Sequence, residues 1–524
     1  MLSLLIFIPL IVALLLVFIP KTQVAVFRWT SLVATGLQLI LVGWILAGFD
    51  LTRVGVNDAS TYQFVENYQW ISVYAGSYGF LQINYTLGID GLSVTLLIMS
   101  ALIGFVGVIS SWSITKHIKG YFISYLILVA AMTGVFVALD FFLFYLFWEM
   151  MLIPMYFLIG IWGGPRREYA AIKFFLYTFI GSLLMLLVVI LFYFGTAVNP
   201  DAHPSLQIHT FNMITMMDPA NLLPGSLLTV ESWRTAAFVL MFIGFAVKIP
   251  MVPFHTWLPD AHVEAPTPIS VILAGILLKM GTYGLARVAF PFFPDQVVMY
   301  AWTIGFLGVI NILYGALAAM GQTDLKKLIA YSSVSHMGFV LLGMASLTTE
   351  GMTGAVLQMF SHGLISAMLF LVVGVVYDRA HHRDIDGFGG LGKPMPRYTG
   401  FALFAFMASL GLPALSGFVA EALVFMGSYS DPVTRNLAMV STLGMLITAI
   451  YYLWAYQRVY TGPVKEDYAG FSDLSSRETT MLVTLAVAIL LVGVWPSFVT
   501  DLMSASVNQL NDWVRSAGSS MTKL

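Results

Sequence analysis

Fourteen apolar runs of roughly 20 residues each constrain this chain more than any other feature. A helix needs about 20 mainly apolar residues to cross the hydrocarbon core. Because lipid offers the backbone no hydrogen bonds, such runs read as helices. They fall at roughly 2 to 20, 28 to 48, 90 to 112, 120 to 139, 141 to 162, 170 to 195, 236 to 257, 265 to 290, 296 to 320, 326 to 346, 351 to 377, 398 to 428, 434 to 457 and 478 to 498. Only 10% of the residues are charged, against about 25% in soluble proteins. The expected fold class is therefore an all-α integral membrane protein with 14 transmembrane helices. The first run does not read as a cleaved signal peptide, since it lacks a basic start and a small-residue cleavage site before Lys21 and Arg28. A net charge of -2 points to no nucleic acid partner. With no cysteine, the chain has no disulfide, Cys-ligated zinc, iron–sulfur cluster or c-type haem of its own. Any electrons would move elsewhere.

Basic residues stay on the cytoplasmic side of a membrane protein, and here alternate connections separate by charge. One set holds sixteen: Lys21, Arg28, Lys116, Lys119, Arg166, Arg167, Lys173, Lys326, Lys327, Arg379, Arg383, Lys393, Arg397, Arg458, Lys465 and Arg477. The other, with the C-terminal tail, holds six: Arg53, Arg234, Arg287, Arg435, Arg515 and Lys523. This bias puts both termini on the non-cytoplasmic side and fits an even number of spans. Of 24 Lys and Arg, only Lys248 and Lys279 remain, both inside apolar runs.

An ionisable side chain at mid-membrane costs about 2.5–3.5 kcal/mol on insertion scales, so it faces a partner or a water-filled path. This chain carries a series of them: Glu149, Lys248, His255, Lys279, His336, His362 and Glu421. Each could be a tether between helices, but Ser, Thr or Asn would fill that role at lower cost. Burial and a nearby opposite charge act in opposite directions on the pKa of a Lys or a Glu. Moving or breaking a Glu–Lys pair therefore loads or releases a proton, and the series reads as a proton relay.

Two runs also carry breaks. Pro250 and Pro253 interrupt the seventh beside Lys248, and Gly411-Leu412-Pro413 interrupts the twelfth before Glu421. An offset of five spans places the two in opposite orientations, as in transporters built from inverted repeats with discontinuous helices. The expected organisation is helices 1 to 3 over 1–112, a first five-helix repeat over 113–290, a second over 291–460, and a last helix and tail over 461–524. The register is not residue for residue, since Lys248 precedes its proline and Glu421 follows its own. The tail from 499 reads as an amphipathic interfacial helix.

Other motifs carry less. Residues 387–392, GFGGLG, match a dinucleotide fingerprint by letter but have no strand before them and no helix opening from them. His381 and His382 read as solvated loop residues. His255, Asp260, His262 and Glu264 could be drawn as a metal site, but Pro259 and Pro266 break the helical spacing it would need. They read as the polar lining of a proton entrance.

The segments LFWEMMLIPMYFLI, FAVKIPMVPFHTWLPDAHVEAPTPISVILAGILLKMGTYG, DLKKLIAYSSVSHMGFVLLG and SHGLISAMLFL resemble the antiporter-like membrane subunits of NADH:quinone oxidoreductase, respiratory complex I. The resemblance spans nearly the whole chain. A Glu at 421, where other branches carry Lys, is similar to the M-type branch. The resemblance implies that Glu149 pairs with Lys248, that Lys279 is the central connecting residue, and that Glu421 ends the path toward the outside. It places His255, His336 and His362 along the same axis. It implies no cofactor in this chain, with FMN, iron–sulfur clusters and quinone held by partner subunits. The partners it implies are the two further antiporter-like chains and small membrane subunits of a complex in a bacterial inner membrane. A multi-subunit sodium/proton antiporter, or a related complex with another electron donor, shares most of these motifs.

Overall fold

The computed structural model describes residues 1–53 and 58–521, with side chains described to residue 516. Two helices open the chain, α1 (Leu2–Phe18) and α2 (Val24–Ala47). A hairpin follows, β1 (Gln63–Tyr74) and β2 (Phe80–Ile89), paired antiparallel with Glu66 opposite Leu87 and Tyr74 opposite Phe80. Helices α3 (Gly91–Ser110), α4 (Ile118–Val137), α5 (Phe141–Met150), α6 (Leu152–Trp162) and α7 (Arg167–Gly195) come next. A short strand β3 (Ile208–Thr210) then adds parallel to β2. The all-α expectation is corrected here. The stretch between the second and third runs is too polar for lipid and rich in aromatic and β-branched residues, which suits a small sheet at the end of a bundle.

The second half is helical. It contains α8 (Met213–Met217), α9 (Glu231–Lys248), α10 (Trp257–Glu264), α11 (Thr267–Ile272), α12 (Leu278–Gly284), α13 (Phe290–Phe292) and α14 (Pro294–Met299). Five more follow: α15 (Ala301–Met320), α16 (Leu325–Ala345), α17 (Thr349–Ala380), α18 (Pro396–Ser409) and α19 (Ser416–Ser430). The last three are α20 (Arg435–Tyr460), α21 (Ser476–Val494) and α22 (Ser497–Met521).

Among the described residues, 11 helices are long and apolar enough to cross a membrane. The other three of the fourteen expected runs differ for visible reasons. Helix α1 is 17 residues long. The seventh run ends as a helix at Lys248, where the prolines bend the chain, and the twelfth divides into α18 and α19.

Burial grades the bundle from rim to axis. The most apolar window of α2 is 33% buried, whereas those of Thr267–Phe292 and α17 are 100% buried and that of α16 is 94%. The three most deeply buried of these spans are the ones that carry Lys279, His336 and His362. Helix α22 lies on the protein with Val499, Met503, Val507, Leu510 and Val514 buried, a spacing of three and four that makes one apolar stripe. Trp513 Nε1 donates to the Pro291 carbonyl at 3.0 Å, and Ser506 Oγ accepts from Gly91 N at 3.0 Å.

A buried chain of ionisable side chains

Lys279 is fully buried and sits on α12 between two π-helical turns, Leu273–Leu277 and Leu285–Ala289. Such turns loosen the backbone ladder and are frequent at functional positions. The first supplies a partner here, for Lys279 Nζ donates to the Ala274 carbonyl at 2.6 Å. The same Nζ lies 2.6 Å from Nδ1 of His362 on α17. The His362 ring is 5.4 Å from that of His336 on α16. Nδ1 of His336 is 3.3 Å from Oε1 of Glu421 on α19. Lys279, His362, His336 and Glu421 thus form one buried series across four helices.

The end of this series is held by neutral groups. Ser409 Oγ lies 3.2 Å from His336 Nε2 and donates to Tyr452 Oη at 2.8 Å, and Tyr452 donates to Ser332 Oγ at 2.9 Å. Gln358 Nε2 is 3.4 Å from His336 Nδ1. The break before α19 makes room for the acid. Gly411 has φ +83°, and a Cβ there would lie 3.1 Å from Glu421 Oε2.

At the other end Glu149 lies on α5 and Lys248 ends α9, near enough to interact electrostatically. Lys248 Nζ is nonetheless buried with no hydrogen-bond partner, 5.6 Å from the Trp148 ring and 5.4 Å from that of Phe174. Ring faces attract a desolvated ammonium. The bend beside it is held by rerouted hydrogen bonds. Pro250 cannot donate to the Ala246 carbonyl, so Met251 N does, at 3.0 Å. The Val247 carbonyl then accepts from Trp257 Nε1 at 2.9 Å, and Val252 N donates to Asn311 Oδ1 at 2.7 Å. Helix α12 packs directly on this bend, where a Cβ on Gly281 would lie 2.9 Å from Ile249 N and 3.1 Å from Lys248 Cβ.

His255 stands apart from the series. Its ring meets Tyr314 at 4.9 Å. The other residues once drawn beside it as metal ligands diverge. Asp260 pairs with Lys173 at 2.7 Å, Glu264 Oε2 accepts from Arg166 N at 2.9 Å, and His262 stacks 4.4 Å from Phe370. His382 is not simply solvated, because it stacks on Phe388 and its Nε2 lies 2.8 Å from Tyr468 Oη. GFGGLG bonds to the end of α20 through Gly390 N and Gly392 N.

Three groups are more deeply buried than the sequence reading implies. His262 is fully buried with both ring nitrogens unpartnered, and it feels the charges of Lys279 and Lys326. Lys326, counted among the connection residues, is buried and donates to the Ala265 carbonyl at 2.5 Å. Arg287, also counted in a connection, is buried in an ion pair with Asp90 and donates to Tyr62 Oη at 2.9 Å.

A family model described as NADH:quinone oxidoreductase/Mrp antiporter, TM matches residues 138–448, the stretch that runs from Glu149 past Glu421. The NADH-quinone oxidoreductase subunit M of Rhodobacter capsulatus is 43% identical over 92% of this chain and 90% of its own length. The NADH-ubiquinone oxidoreductase chain 4 of Arabidopsis thaliana is 40% identical over 97% of this chain and 96% of its own. A chain of respiratory complex I from Thermus thermophilus superposes with a TM-score of 0.83 at 28% identity, covering 98% of this chain and 100% of that one. A chain of the Mrp complex from a Dietzia species shares the fold, with a TM-score of 0.80 at 19% identity over 99% of both. The chain belongs to the NADH:quinone oxidoreductase/Mrp antiporter membrane family, among the M subunits of NADH-quinone oxidoreductase.

Proposed function

We propose that this chain is a proton-translocating membrane subunit of an NADH:quinone oxidoreductase. The observation that carries the reading is the buried contact series Lys279, His362, His336 and Glu421. Each neighbour can hold or pass a proton, and the series crosses the part of the bundle best shielded from lipid. Glu149 and Lys248 form the loading pair. They face each other without a hydrogen bond to the ammonium, so a small displacement changes their interaction by a large factor. His255 lines the approach beside the α9–α10 bend. Moving one elementary charge against 100 mV requires about 2.3 kcal/mol, which pKa changes of about 1.4 kcal/mol per unit supply in two steps.

The driving reaction takes place in partner subunits, which hold FMN, iron–sulfur clusters and quinone, while this chain carries no cofactor. Its partners are the other antiporter-like and small membrane subunits of the complex. The fourteen runs count as spans in this reading, with α1 as a short span and the two broken helices as one span each. Residues 113–290 and 291–460 are the inverted repeats, between the N-terminal helices (1–112) and the last helix and tail (461–524). Both termini lie on the non-cytoplasmic side of a bacterial inner membrane.

The experiment is NADH-driven proton uptake by inverted membrane vesicles bearing Glu149→Ala, Lys279→Ala or Glu421→Ala in the assembled complex. Each variant is expected to lose most of the proton gradient formed per NADH oxidised. Wild-type pumping in all three would overturn the relay. A purified assembly without NADH oxidation would favour sodium/proton antiport.

A further inference from the structure

Where α1 turns into α2, the protein presents two adjoining cavities that the relay does not use. One, of about 590 Å³, is lined by Lys21, His117 and Lys119 among others. The other is a groove of about 610 Å³ between α1 and α2, lined by Leu15, Phe18, Trp29 and Val33 among others. Both border the turn, the first through Lys21 and Val24 and the second through Ile19 and Val26.

The charge at this corner is of one sign. Residues 1–49 and 91–139 contain Lys21, Arg28, Lys116 and Lys119 and no Asp or Glu at all. Among the described residues, none of the four forms an ion pair with a carboxylate within 4.0 Å. Lys119 is fixed in place, because its Nζ donates to the Val17 and Ile19 carbonyls at 2.6 and 2.9 Å, and a third N–H remains. Arg28 is held over the Trp112 ring at 5.8 Å, and its buried Nε has no partner. The groove walls are apolar and open, with Phe18 77% and Trp29 59% exposed.

We propose that the basic cavity and the α1–α2 groove together bind one acidic diacyl glycerophospholipid. Its phosphate sits on Lys21 and Lys119, and an acyl chain runs along Leu15, Trp29 and Val33. The occupant is an amphiphile because the charge lies at one end only. A helix of another subunit would need an apolar flank with a carboxylate at that same end.

The test uses the assembled complex in nanodiscs containing a photoactivatable phosphatidylglycerol, with labelled peptides read by mass spectrometry. Label is expected in the peptides spanning 10–37 and 115–123. Excess unlabelled phosphatidylglycerol should displace it, and phosphatidylcholine should not. In Lys21→Gln/Lys119→Gln the label should fall roughly 25-fold, as two lysines near a lipid surface each contribute about fivefold. Equal displacement by both lipids in the wild type would overturn the proposal and leave ordinary bilayer contact. So would crosslinking of the same peptides to another subunit's helix in place of lipid. The competition needs no variant, so it decides the matter even if the double substitution fails to assemble.

Discussion

Lys248 separates a relay from a tether, because the two readings predict opposite effects of removing its charge. Its ammonium is buried between ring faces with no hydrogen bond. Holding a buried ammonium opposite a carboxylate is costly, and neutral side chains of similar size at both positions relieve that cost. Lys248→Met/Glu149→Gln is therefore expected to assemble at wild-type levels or better while proton uptake per NADH falls to background. Loss of the assembled complex in native gels would instead mark a tether. A pair outside the spans gives the pH dependence. Burial alone would raise the Asp295 carboxyl, but hydrogen bonds and charge from Arg234 hold it below the usual carboxylate range. A depressed carboxylate contributes stability above its unfolded pKa, and that contribution is lost as pH falls through the folded value. Arg234→Gln should cost about 1–3 kcal/mol near neutral pH by leaving the acid without its charged partner. The gap from wild type in thermal inactivation of the solubilised complex should close as pH falls below about 4, and a gap that stays constant would be evidence against the assignment.

The decisive elements are broken ones. The bend between α9 and α10 brings Lys248 to the face of α12, and the Ala246 and Val247 carbonyls and the Val252 amide beside the prolines each find another partner. Asn311, from α15, takes the Val252 amide, and Trp257 serves the Val247 carbonyl. Asn311→Leu leaves that amide buried and unsatisfied, so it should lower the stability of the bend by about 1–3 kcal/mol. Trp257→Phe should act in the same direction on the carbonyl. Both are read as faster thermal loss of NADH-driven pumping, ahead of any loss of electron transfer from NADH to an artificial acceptor. Simultaneous loss of the two activities would mean that the bend supports the whole assembly and has no special part in pumping. Helices α18 and α19 pose the parallel case, since the positive φ of Gly411 opens the space that Glu421 Oε2 occupies.

Across the whole molecule, legibility followed the range of the interaction. Hydropathy is local, so the long spans could be read from the chain, as could the two proline breaks, because proline acts on its own helix. The sheet could not, since strands at a bundle end carry no signal on the scale of a span. Arg287 was counted in a connection because its partner Asp90 lies 197 residues away, and Lys326 because nothing in its own segment shows that α10 and α11 cover it. The buried ionisable residues were legible singly, as charges in apolar runs, but their contact order needed the packing of α12, α16, α17 and α19. That packing also bears on which ion moves. Hard cations such as sodium are held by oxygen ligands, whereas imidazole suits transition metals and protons. The axis offers the nitrogens of Lys279, His362 and His336, and the Glu421 carboxylate lies at its far end. A sodium ion would therefore lack a cage along the middle of the path, while a proton needs only the next basic atom. NADH-driven gradient formation is expected to stay unchanged when sodium is varied, roughly a hundredfold, at constant ionic strength, since screening is set by total salt. A rate that rises and saturates with sodium, and that Lys279→Ala abolishes, would transfer the cargo from protons to sodium and put this chain with the antiporters of its family.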